Sequence, residues 1–262
     1  MPAEGQGVSG VPLTRDEVLD ELDFLASVEH ALVVEYLSVC CALGHDLEQQ
    51  DGGATTRQGS AAAGAAAVLA IGEMFHLKGV NRGLLGAGRS PQLGRAVSVS
   101  SDSVAEIALG PPSRAELVRL LDRLGAIASA VDERCARLRL AVTSDALFDG
   151  DLLAELRAVI VDDGPTHVKA FATLRDSVGD LRPEDLLVAT RREGADALER
   201  RLLEVSDRSY GLVLAILQER FAQQDLFVAG SFRGLAVSAM EGLDEINRAL
   251  VQRGLLPRFT LA

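Results

Sequence analysis

Lysine is nearly absent from this chain: Lys78 and Lys169 are the only two in 262 residues. Together with a formal net charge of -12, this leaves no clustered cationic surface for phosphate, and argues against nucleic acid or an anionic membrane as partner. Cysteine is scarce as well. Cys40, Cys41 and Cys135 show no Cys-x-x-Cys spacing, which speaks against a disulfide framework or a thiolate zinc site and suits a reducing compartment, the cytoplasm. Long apolar runs are also missing. The most apolar stretch, Ala61 to Leu77, is mostly alanine and is interrupted by Glu73 and His76, whereas a membrane span needs about 20 strongly apolar residues. Residues 1–13 are rich in Gly and Pro and lack the cationic and apolar regions of a signal peptide, so they read as a disordered N-terminus.

What remains is ordinary globular composition, 48% apolar and 24% charged, in a chain long enough for one large core or two modest ones. The apolar residues recur at helical spacing throughout, and the expected class is all-α. Thr14 and Glu17 form a capping box that opens a first helix running to about Leu43. Its inward stripe is Val18, Leu22, Leu25, Leu32, Tyr36, Cys40 and Leu43, with Glu29 near the middle, while His30 and Glu35 fall toward a flank or solvent. After a polar loop from His45 to Ser60, a second helix spans Ala61 to Leu85. A long crossover, Gly86 to Ser113, leads to a third helix from Arg114 to about Thr143. A fourth follows the turn Ser144 to Gly150, with Pro165 expected to kink it. Residues 14–180 thus read as a four-helix unit. Residues 181–262 add helical stretches at Glu184 to Gln223 and Leu235 to Arg253, with no inward carboxylate or histidine, packed on the bundle within the same domain.

The chemistry is concentrated in Glu73-Met74-Phe75-His76. At about 100° per residue, Glu73 and His76 share the inward stripe with Leu69, Val80 and Leu84. A buried carboxylate beside a neutral imidazole is costly unless something neutralises it, and a metal ion does so for both at once. Glu29 lies 14 residues before Leu43 and Glu73 lies 13 after Ser60, so antiparallel helices would set them face to face. Asp132 on the rim of the third stripe and Asp163 with His167 on the fourth lie at matching heights. Four helices therefore offer Glu29, Glu73 with His76, Asp132, and Asp163 with His167, close to the donor pattern of carboxylate-bridged dimetal bundles. His45, in the loop, is excluded as a ligand.

Ser27-Val28-Glu29-His30-Ala31, Gly72-Glu73-Met74-Phe75-His76-Leu77, and Asp162-Asp163-Gly164 with His167 resemble the ferritin-like family that includes iminophenyl-pyruvate dimer synthases of bacterial secondary metabolism. The resemblance extends to Tyr210 through Phe221 and to Leu255-Leu256-Pro257. It implies a ferritin-like four-helix bundle with a long crossover and additional C-terminal helices. The sequence departs from the pattern in having Asp-x-x-x-His on the fourth helix and no inward Glu on the third. The expected activity is that of a metal-dependent oxidoreductase that activates dioxygen to oxidise or couple a small, amino-acid-derived intermediate. One or two iron ions are expected, with Mn or Zn as alternatives. Glu73 would bridge, Glu29 and His76 would hold one metal, and Asp163, His167 and Asp132 the other. Tyr36, on the face of Glu29, would donate a hydrogen bond or shuttle a proton. The alternatives are a redox-inactive coupling or cyclisation enzyme and a non-catalytic metal-binding protein; a homo-oligomer is compatible with each.

Overall fold

The structure, a computed structural model, describes residues 13–43, 57–96, 165–179, 196–223 and 225–260, together with helical positions between 124 and 138. The described residues are all-α and contain no strand. The elements are α1 (Arg15–Leu43), α2 (Arg57–Gly86), the helical positions within 124–138, α3 (Pro165–Gly179), α4 (Ala197–Ala222) and α5 (Leu226–Val251).

The helix ends follow from local chemistry. Thr14 closes the capping box as expected: its backbone N–H donates to Glu17 Oε2 at 2.7 Å, and Glu17 N–H donates to Thr14 Oγ1 at 3.3 Å. Asp196 and Glu199 repeat the device at α4. α5 starts at an Asp225 cap whose carboxylate accepts from Phe227 and Val228 N–H, nine residues before the expected Leu235. Gly230, Ser231, Arg233 and Gly234 interrupt the apolar positions between them, so the cap is the clearest mark of its start. α2 ends in a Schellman turn, with Arg89 N–H on Leu84 O and the left-handed Gly88 (φ 81°) supplying the reversal. α3 is described from Pro165 onward. The helix expected before it, with Asp163, lies outside the described residues, as do Asp132, His45 and the later crossover.

Core residues of α1, α2, the 124–138 stretch (Leu124, Ile127, Val131, Leu138) and α3 (Leu174, Val178) form one apolar cluster. Arg134 ties the 124–138 stretch to α1 by an ion pair to Glu21 at 2.6 Å and by stacking 4.5 Å from the Phe24 ring centroid. On the other side of α1, Val34 meets Tyr210 and Val213 of α4, Leu243 of α5 and Phe259. α1 is therefore covered on both faces, and this explains an otherwise ambiguous composition. By length and hydropathy α1 and residues Ala61–Gly86 of α2 could each cross a bilayer, more than the alanine-rich run alone suggested. In α1, 78% of the apolar window is buried inside the protein, against 44% in α2, so core packing accounts for the apolarity of the first helix more fully than for that of the second.

The chain after α5 returns across α4. Asp207, a buried carboxylate on α4, accepts from the Arg258 guanidinium and from Thr260 N–H. It corrects the expectation that the C-terminal stripes hold no inward carboxylate. These contacts bracket Phe259, whose φ of 49° is unfavourable for a bulky side chain and is held by full burial of its ring against Tyr210.

Candidate metal centre

Height matching between α1 and α2 brings Glu29 opposite Glu73 and His76. One donor atom from each of the three lies within 4.8 Å of the other two. His76 Nδ1 is 3.0 Å from Glu73 Oε2 and 3.6 Å from Glu29 Oε2. Glu29 and Glu73 are buried, and the His76 side chain is only 15% exposed. Glu29 Oε2 is shut off from solvent and has no donor within hydrogen-bond distance among the described residues.

The proton affinities reflect this crowding. Burial, reinforced by the charge of Glu73, pushes the Glu29 carboxyl well above its ordinary range. Burial alone would pull His76 down. The two carboxylates overcome it, Glu73 by its 3.0 Å hydrogen bond and both by their charge at close range, and drive the imidazole up to about 11. Without a metal, the cluster compensates two buried carboxylates by retaining protons.

A divalent ion fits the same donors. Two carboxylate oxygens and one imidazole nitrogen suit Fe(II), Mn(II) or Zn(II). Bonds of about 2.0–2.2 Å place ligand atoms at most about 4.4 Å apart, so small side-chain adjustments would let all three reach one ion. The buried Glu29 oxygen would gain a direct bond in place of its long 3.6 Å contact with His76 Nδ1.

The other expected site residues are placed less fully. Asp132 and Asp163 lie outside the described residues. His167 occupies the first turn of α3, and its side chain lies outside the description. Tyr36 is buried in the same core as expected. Seven residues put it about 10 Å from Glu29 along the helix axis, so contact requires its ring to lean toward the helix N-terminus, the direction helical side chains favour.

His30 and Glu35 do not face solvent: each is 2% exposed. The physical reason is the second covering layer on α1, which a single-stripe reading cannot see. Residues 89–96 lie along α1, held by Arg89 to Asp20 (2.9 Å), Gln92 to Asp23 (2.9 Å) and Ala96 N–H to Ser27 O (2.9 Å). This segment delivers the Leu93 carbonyl to His30 Nδ1 at 2.8 Å, with the Gly94 carbonyl at 3.2 Å. Nδ1 must then carry the proton, and Nε2 accepts from the Tyr210 hydroxyl. Burial, with an adverse contribution from Arg95, lowers His30 to about 4 and keeps it neutral. Burial pushes Tyr210 up to about 12, with Arg95 opposing it. The sequence signals for this pair were a histidine next to Glu29 and one of only two tyrosines; 180 residues separate them, beyond the reach of periodicity.

Comparison of the chain with family models, with curated proteins and with solved structures finds no match.

Proposed function

We propose that Glu29, Glu73 and His76 hold a divalent metal, iron in the working protein, at the centre of a ferritin-like four-helix bundle. In this reading Asp132, Asp163 and His167 form a second position, and the protein is a metal-dependent oxidoreductase acting with dioxygen on a small organic intermediate. The observation that carries it is the buried Glu29 oxygen without a hydrogen-bond donor, set beside a second buried carboxylate and an imidazole. A divalent ion would take the place of the protons that otherwise balance these groups.

When bound, iron supplies one-electron chemistry with dioxygen. The chain's own residues prepare for it. Glu29 and Glu73 bring two formal negative charges to offset a divalent ion, and His76 presents Nδ1 once its proton has left. The aliphatic walls of α1 and α2 exclude water. Tyr36 is the candidate proton donor from the same face of α1. The chain's cysteines are thiols and not disulfides, which supports placing the protein in the cytoplasm.

The test is to load metal-free protein with Fe(II) under anaerobic conditions and measure oxygen uptake on admission of air. Uptake above that of free Fe(II), abolished by Glu29→Gln, is expected. Stoichiometric metal binding without uptake would point to the redox-inactive coupling enzyme or the metal-binding protein. Failure to bind iron, manganese or zinc would overturn the reading.

A further inference from the structure

Beside the metal cluster, between adjoining faces of α1 and α2 and the pair α4 and α5, lies a cavity of about 360 Å³. Small-molecule sites commonly occupy about 300–1000 Å³, with mostly apolar walls and a few fixed polar groups. The walls here are largely aliphatic, from Val33, Leu37, Leu214 and Leu243 among others. Folded interiors pack nearly as densely as organic crystals, so a void of this size between four helices is a built feature. Ile71, which lines the cavity, is 53% exposed, so the space opens to solvent beside α2.

Two features indicate what would fill it. Of the chain's three methionines, the two beyond Met1, Met74 from α2 and Met240 from α5, both line this cavity. Flexible, polarisable thioethers adapt to a ligand's shape and make favourable contacts with aromatic rings. Both partners of the His30–Tyr210 hydrogen bond also line the cavity, which puts that bond in its wall. Because His30 Nδ1 donates to the Leu93 carbonyl, the Tyr210 hydroxyl must donate to Nε2, leaving its oxygen as an acceptor. Even with one lone pair turned toward Arg95, whose guanidinium stands 5.6 Å from the ring centroid, another can accept from a ligand. The polar groups elsewhere in the wall are engaged: Arg248 with Asp244, and Asn247 with Ser206.

We propose that this cavity binds a small apolar molecule, aromatic in character, that carries one O–H or N–H group and donates it to the Tyr210 oxygen. The site is distinct from the metal centre. Glu29, Glu73 and His76 do not line it, whereas their chain neighbours His30, Met74 and Leu77 do. The inference therefore stands whether or not the metal assignment does.

Naphthalene and 2-naphthol are suitable probes, and their fluorescence can be followed easily because the chain has no tryptophan. Both should bind saturably at one site per chain, with 2-naphthol tighter by about 3- to 10-fold, the effect of one net hydrogen bond. Tyr210→Phe should remove that preference and leave naphthalene affinity unchanged. Met240→Trp, or Leu217→Trp where the first variant melts early, should fill the space and abolish binding of both probes without altering metal content. Non-saturable binding, unchanged affinity in a folded filling variant, or a 2-naphthol preference that survives Tyr210→Phe would each overturn the proposal.

Discussion

Two buried histidines on neighbouring helices hold opposite proton states. His76 sits between two carboxylates and is driven up to about 11; His30 faces a backbone carbonyl and a tyrosine hydroxyl and falls to about 4. His30 is buried and His76 largely so, and burial lowers the proton affinity of both, so burial does not distinguish them. The partners do. Around His30 each ring nitrogen has a complementary neutral partner, which is the arrangement of a structural core histidine. Around His76 two buried carboxylates crowd one imidazole, and the cluster balances its charge only by keeping a proton on Glu29. That crowding marks the inner face of α1 and α2 as a candidate cation site, while the adjoining, outer face reads as a rigid polar support beside an apolar cavity.

The largest way to break this contrast is Glu73→Ala. Losing a charged ligand should weaken metal binding by at least about 100-fold, more than outer-shell changes typically cost, while circular dichroism shows helical content retained. The metal-free variant should melt no lower than the parent, because one of two crowded buried carboxylates has gone. His30→Ala should do the reverse. It leaves Tyr210 and Leu93 without their partner and opens a small void, so stability should fall by about 2–4 kcal/mol in denaturant titration with metal content unchanged.

Proton linkage sharpens the same comparison. His76 and Glu29 keep protons in the fold that the unfolded chain releases above about 6.5 and 4.5. His76's stabilisation is complete below pH 6.5 and is lost as pH rises toward about 11; that of Glu29 is complete below 4.5 and is lost as pH rises through its elevated pKa. His30 acts oppositely, because between pH 6.5 and about 4 the unfolded chain takes up a proton that the folded imidazole refuses. Each histidine can change stability by at most about 1.4 kcal/mol per pH unit within its window. In metal-free protein, His30→Gln should flatten the acid limb of the stability profile and His76→Gln the alkaline limb; unchanged limbs would remove the assigned partners. Thr14→Ala, remote from both histidines, should cost about 1 kcal/mol in a thermal melt and leave both limbs and metal content alone.

Much of the inner site was legible because it obeys local rules. Glu73 and His76 sit one turn apart on one helix, and Glu29 could be matched to them by counting from the connecting loop. The Thr14 cap was equally local. The outer site was not legible. His30 meets a carbonyl 63 residues on and a hydroxyl 180 residues on, and α1 is covered on both faces, so no single stripe marks what is buried. Glu35 was hidden because nearly every residue of α1 from Leu25 to Leu43 is buried, leaving no solvent face for it to mark. The early start of α5 was missed because Gly230, Ser231, Arg233 and Gly234 interrupt its apolar positions and read as a connection.

The most direct measurement of the central claim is metal K-edge X-ray absorption of the loaded protein beside its His76→Gln variant. The account predicts a first shell of oxygen and nitrogen donors at about 2.0–2.2 Å, with one imidazole fewer in the variant. An equal imidazole contribution from the two proteins would contradict it, because the metal would then lie away from His76.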